Sequence, residues 1–187
     1  MKGTMNDDFV NRSREWNEMP ENHEGRPLYQ SYCLHTGNVY AGEYPGSEIE
    51  EVAKMKIQQM IEFGVRHFVD LTEEGELLPY KHLLPEGTTH KRFPICDGDI
   101  PESLDYAQRI VDYIRELAER DDGYVYVHCW GGVGRTGTIV GCYLAEDSFE
   151  ETMERLRDCF SEMPKSAFRV VPENWTQQEF IRSFIER

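Results

Sequence analysis

One stretch limits what this chain can fold into: residues 124–146, YVYVHCWGGVGRTGTIVGCYLAE. Val125-Tyr126-Val127 is a short β-branched and aromatic run, the pattern of a buried strand. It ends at His128-Cys129, and three glycines follow within four positions, Gly131, Gly132 and Gly134. Arg135 and Thr136 come next, and the apolar segment from Ile139 to Ala145 predicts a buried helix. The order is strand, tight glycine-rich loop, helix, with a cysteine opening the loop and an arginine closing it.

Such a loop can turn its backbone N–H groups into one concavity, and the helix behind it points its positive end at the same place. The result is a cradle for a tetrahedral dianion. A cysteine in that field is expected to ionise below the ordinary thiol value of about 8.5. Arg135 can set two parallel N–H donors against two phosphate oxygens, and the N–H groups of Trp130, Gly131, Gly132, Val133 and Gly134 can hold the rest. A nucleophile below phosphorus with a bidentate clamp beside it is the equipment for phosphoryl transfer. A lone cysteine after a strand is ordinarily a small buried hydrophobe, but packing has no use for three glycines and an arginine. The nucleotide loop G-x-x-x-x-G-K-[ST] does not fit: aligned on Gly134-Arg135-Thr136, it puts Cys129 at its first glycine and arginine at its lysine.

His128-Cys129, five residues, then Arg135-Thr136 resembles the signature loop of the cysteine-dependent protein tyrosine and dual-specificity phosphatases. Trp130-Gly131-Gly132-Val133-Gly134 is similar to the compact bacterial or atypical dual-specificity type, and the likeness covers residues 36–184. It implies an α/β fold with a short twisted central sheet of about five strands and helices on both sides. It also implies phosphomonoester hydrolysis through a phosphocysteine on Cys129, with phosphotyrosine, phosphoserine or phosphothreonine as substrate. Pro94-Ile95-Cys96-Asp97 matches the family's general-acid loop, Pro-x-x-Asp, so Asp97 is the expected acid. Thr136 is expected to hydrogen-bond the cysteine sulfur, and His128 to order the loop and tune the thiolate. Gln177 matches the glutamine that places the hydrolytic water. No metal or other cofactor is expected, because Arg135 and the loop dipoles already supply the positive field. A phosphatase of inositol phosphates or other small phosphoesters and a catalytically silent phosphate-binding module are the alternatives. Inositol phosphates usually call for lysines in the loop, where Arg135 is the only basic residue.

The rest of the chain frames that site. It has 187 residues, enough for one domain with a real core. Lys and Arg total 20 against 35 Asp and Glu, a net charge of −15, which argues against nucleic acid and anionic membranes as partners. The five cysteines, Cys33, Cys96, Cys129, Cys142 and Cys159, show no paired spacing for zinc or a disulfide framework. That cysteine usage suits a reducing cytoplasm. With no apolar run of about 18 residues and a polar start, no membrane span or secretory signal is expected, and the protein is expected to be a monomer. Its partner is a phosphoprotein or small phosphoester.

Residues 1–28 read as a polar arm, with Trp16 its main apolar exception, and residues 29–187 as a single catalytic domain. Ser47 with Glu50 and Ser148 with Glu151 read as capping boxes, and Gly64 as a helix stop. Asp99 is expected to cap the helix after the acid loop, and Pro172 to open the last one. Tyr40 and Tyr44 read as packing groups, His82 and His90 as solvated or structural. Cys96 is expected to be buried and inert.

Overall fold

The computed structural model describes residues 25–187; residues 1–24, most of the expected arm and Trp16, lie outside the described residues. A hairpin comes first, β1 (Ser31–Cys33) and β2 (Val39–Gly42), followed by α1 (Glu50–Phe63) and β3 (Val65–Asp70). A 3-10 turn at Lys81–Leu83 leads to β4 (Thr89–Arg92), α2 (Leu104–Glu119), β5 (Tyr124–His128) and α3 (Gly134–Tyr143). The chain finishes with α4 (Phe149–Phe160), a 3-10 turn at Pro164–Ala167 and α5 (Trp175–Ile185).

The five strands form one sheet in the order β1-β2-β5-β3-β4, antiparallel between β1 and β2 and parallel elsewhere. Alternate residues of each strand face opposite sides. Val125 and Val127 point to a core that α2, α3, α4 and α5 cover, and Tyr126 to a second core under α1, with Ile57 and Met60. The expected α/β sheet with helices on both sides is present, four helices to one.

Topology places the site. Gly42, His128, Asp70 and Arg92 stand in register across β2, β5, β3 and β4, so four parallel strands end in one row. The loops after them open on the same edge, where α/β proteins bind ligands. Backbone bonds pin two of these loops: Leu71 N–H donates to His128 O at 2.8 Å, and Ile95 N–H to Leu71 O at 3.1 Å.

Several helix ends differ from the sequence reading. Ser47 does not cap α1; its Oγ accepts the Ile49 N–H at 3.1 Å in a local turn, and the helix starts at Glu50. Gly64 does stop α1, at φ 111°, with its N–H on Ile61 O and Met60 O. The α2 cap is Ser103, whose Oγ accepts from Tyr106 N–H at 3.1 Å; the Asp99 carboxylate instead accepts from Ile100 N–H at 2.8 Å. Asn174, not Pro172, opens α5, accepting from Gln177 N–H at 2.9 Å. Ser148 caps α4 as read, its Oγ accepting from Glu151 N–H at 3.2 Å, while the Glu151 carboxylate accepts from the Ser148 hydroxyl at 2.8 Å.

Candidate active site

The loop from His128 to Arg135 runs off the end of β5, and α3 takes over at Gly134, so Arg135 and Thr136 lie on its first turn. Gly132 sits at φ 73°, and a Cβ there would stand 2.4 Å from Gly42 C and 2.8 Å from Glu43 N. Only glycine lets the loop lie that close to the end of β2. Tyr44 N–H holds Trp130 O at 2.8 Å from the same side.

His128 is wholly buried. Its Nδ1 lies 3.2 Å from Cys129 O and its Nε2 2.7 Å from Tyr80 Oη. Because the carbonyl can only accept, Nδ1 carries the proton and the Tyr80 hydroxyl donates to Nε2. Burial pushes the imidazole down to about 4, so His128 is neutral at physiological pH and orders the loop through these two bonds. Tyr44, fully buried, packs edge-on against both Tyr80 and His128, the packing role expected of it. Behind them lies the Asp70 carboxylate, 3.0 Å from Arg92 Nη2 and 3.2 Å from His90 Nε2. Burial opposes its charge, but the His128 ring and bonds from His90 and Thr72 hold it well below the usual carboxylate range. His90 is thus structural, and His82 is exposed.

Cys129 is 4% exposed and Arg135 1% exposed. The guanidinium is gripped by a residue that the sequence reading missed, Glu76. Nη1 donates to Glu76 Oε2 and Nη2 to Oε1, each at 2.7 Å, while Nη1 also reaches Ile95 O at 3.0 Å. Asp97 comes onto the same group, Oδ1 lying 2.8 Å from Nη2. Burial works against the cation, but Glu76, Cys129 and Asp97 hold it firmly protonated. Arg135 Nε is buried and has no hydrogen-bond partner among the described residues, and the same is true of Thr136 Oγ1 and Gln177 Oε1. The bond expected from Thr136 to the cysteine sulfur is therefore not made.

The acid loop and the start of α5 are tied together. Asn174 Nδ2 donates to Gly98 O at 3.0 Å, and Gln177 Nε2 to Asp99 O at 3.2 Å. Gln177 is fully buried against Gly134, where a Cβ would stand 3.0 Å from its Nε2 and 2.5 Å from Glu173 Oε1. Cys96, expected to be buried, is exposed on the acid loop, and the Glu73 carboxylate, with Asp99 beyond it, pushes its thiol up. Among the described residues, no group of three or more His, Cys, Asp or Glu side chains could hold a metal ion. No described helix is long and apolar enough to cross a membrane.

The buried cysteine and arginine at the ends of one strand–loop–helix unit are matched by a family model. The DSP-PTPase phosphatase family of polymorphic toxin systems fits residues 43–148. The chain belongs to this family, within the cysteine-dependent tyrosine and dual-specificity phosphatases. A protein of Invertebrate iridescent virus 3, named as a tyrosine phosphatase, is 29% identical over 157 residues, 76% of this chain and 60% of its own. The CDC14 homologue of Schizosaccharomyces pombe is 39% identical over 70 residues, 37% of this chain and 12% of the relative. This chain thus spans less than two thirds of the length of these curated relatives. Among solved structures, Tk-PTP in its active form superposes with a TM-score of 0.66 at 22% identity, over 84% of this chain and 97% of that one. The kinase-associated phosphatase with its catalytic cysteine changed to serine gives 0.66 at 18%, over 84% and 93%. These two likenesses carry the fold.

Proposed function

We propose that this chain is a metal-independent phosphatase that hydrolyses phosphomonoesters of proteins, phosphotyrosine foremost and phosphoserine or phosphothreonine with it. The observation that supports this best is Arg135: buried, locked by Glu76, with its Nε unpartnered in the loop that Cys129 opens. A buried donor without a partner is costly unless a ligand answers it.

In this reading the Cys129 thiolate attacks phosphorus in line; the P–S bond forms as the P–O bond to the leaving group breaks. Arg135 and the N–H groups of Trp130 to Arg135 hold the equatorial oxygens. Asp97 gives its proton to the leaving oxygen and then takes one from the water that cleaves the phosphocysteine. Gln177 Oε1 orients that water. Residues 29–187 form the catalytic domain, and the protein works as a cytoplasmic monomer with a phosphoprotein as partner.

Turnover of para-nitrophenyl phosphate in excess chelator tests the reading. The wild type is expected to hydrolyse it, and Cys129→Ser to lose turnover while still binding phosphate. No turnover by the wild type, or full turnover by the serine variant, overturns it.

A further inference from the structure

The three most exposed large apolar side chains of the described residues fall within eight positions of one another: Phe168 at 69%, Val170 at 66% and Trp175 at 70%. They lie on the segment between the last 3-10 turn and the start of α5, and this segment is fastened to α3, the phosphate loop and the acid loop. Val171 and Pro172 cover Gly137 of α3, and Glu173 Oε1 lies over Gly134 in the phosphate loop. The other oxygen of Glu173 pairs at 2.8 Å with Arg169, the residue between Phe168 and Val170. Asn174, next to Trp175, holds Gly98 of the acid loop. Val171 to Asn174 pack on α3, the phosphate loop and the acid loop, while Phe168, Val170 and Trp175 are exposed on the same strip. Three large apolar side chains exposed on one short strip pinned to the acid loop are suited to making a contact.

Resting on the phosphatase reading above, we propose that Phe168, Val170 and Trp175 form a specificity ledge, which seats an apolar side chain adjoining the phosphorylated residue of a protein substrate. Charge decides between a protein and a lipid surface. The chain carries a net −15, and the two loops that bring Glu76 and Asp97 onto Arg135 bear the exposed carboxylates of Glu73, Glu74, Asp97 and Asp99. An anionic leaflet would be repelled by such a face, and an aromatic ledge alone would not hold it there. A phosphopeptide brings one phosphoryl group to Arg135, and its neighbouring side chain can then cover the ledge.

The test scans phosphotyrosine peptides with leucine or serine at each position from three before to three after the phosphoresidue. Full-length wild type is compared with F168S/W175S. The wild type is expected to favour leucine at one or two positions by about 5- to 30-fold in kcat/KM, the scale of one partly buried aliphatic side chain. In the double variant that preference should fall below about 2-fold, with turnover of para-nitrophenyl phosphate unchanged. Affinities of the same peptides for Cys129→Ser, with and without F168S/W175S, read the ledge independently of chemistry. If nothing is hydrolysed but leucine-dependent binding persists and needs the ledge, the phosphatase reading fails and the ledge stands. Four results overturn the ledge: no positional preference in turnover or binding; an equal loss on para-nitrophenyl phosphate; a wild-type preference for phosphoinositide in anionic vesicles that the double variant loses; or a wild-type dimer that the double variant dissolves.

Discussion

Glu76 shows how much a single side chain contributes behind the reacting atoms. It spans both terminal nitrogens of Arg135 and also takes the Glu73 N–H at 2.9 Å, so it fixes both the guanidinium and its own loop. Glu76→Ala should lower kcat/KM by about 10- to 100-fold through misplacement of the clamp. It should cost about 3 kcal/mol in stability through a half-paired buried cation. Steady-state kinetics and denaturant melts check both; an unaltered kcat/KM would remove Glu76 from the site. His128 makes a second prediction. Its folded pKa of about 4 lies below the unfolded value of about 6.5, so between them the unfolded chain binds a proton that the folded chain refuses. Stability is therefore full above about pH 6.5 and falls as pH drops toward 4, by on the order of 3 kcal/mol. Asp70, held low by its partners, adds a further loss at lower pH still. Melts of the wild type and His128→Asn across this range should show a flatter profile in the variant, because asparagine does not titrate.

At the scale of elements, the acid loop and α5 behave as one piece. Asp97 and Asp99 lie two residues apart, yet only Asp97 touches Arg135, while Asp99 turns to the Ile100 N–H. Asp97→Asn should slow turnover by about 10²- to 10⁴-fold, most for poor leaving groups such as alkyl phosphates, and flatten the basic limb of the pH profile. Asp99→Asn should leave the rate within about 2-fold, because the amide oxygen can still accept the same N–H. A larger rate loss for Asp99→Asn would exchange the two roles. Asn174 and Gln177 hold the loop through the carbonyls of Gly98 and Asp99, contacts that no side-chain pattern in the sequence announces.

Across the whole molecule, charge is the property that reaches furthest. At −15 the protein repels an incoming dianion, and salt screens repulsion between like charges over about 10 Å at 0.1 M. Between about 10 and 200 mM salt, kcat/KM for para-nitrophenyl phosphate should therefore rise by about 2- to 5-fold. A stopped assay at fixed pH checks the sign, and a fall with salt would mean that local positive potential outweighs the net charge. The parts legible in the sequence were those with a strong local composition or a motif. The β-branched and aromatic run marked β5, the apolar run after Arg135 marked α3, and the Cys129–Arg135 spacing with the Pro-x-x-Asp match marked a site where the fold sets Asp97 on Arg135. Glu76 was not legible, because one acid in a charged loop repeats nothing and its partner is 59 residues away. The caps at Ser103 and Asn174 lost to Asp99 and Pro172 in the reading because each stretch offers several polar or turn-forming residues, and only the packed direction of the helix selects one.

The contact between Asp97 and Arg135 also has a meaning in time. Before any substrate arrives, the carboxylate proposed as proton donor leans on the guanidinium proposed to grasp the phosphoryl oxygens. On the proposed chemistry the two cannot both hold Nη2, so an arriving phosphoryl group displaces the acid as it docks. The Asp97 carboxylate is thereby freed toward the leaving oxygen. On that chemistry the site works as an interlock: its proton donor is released by the cargo it will act on, and an empty cradle keeps it fastened.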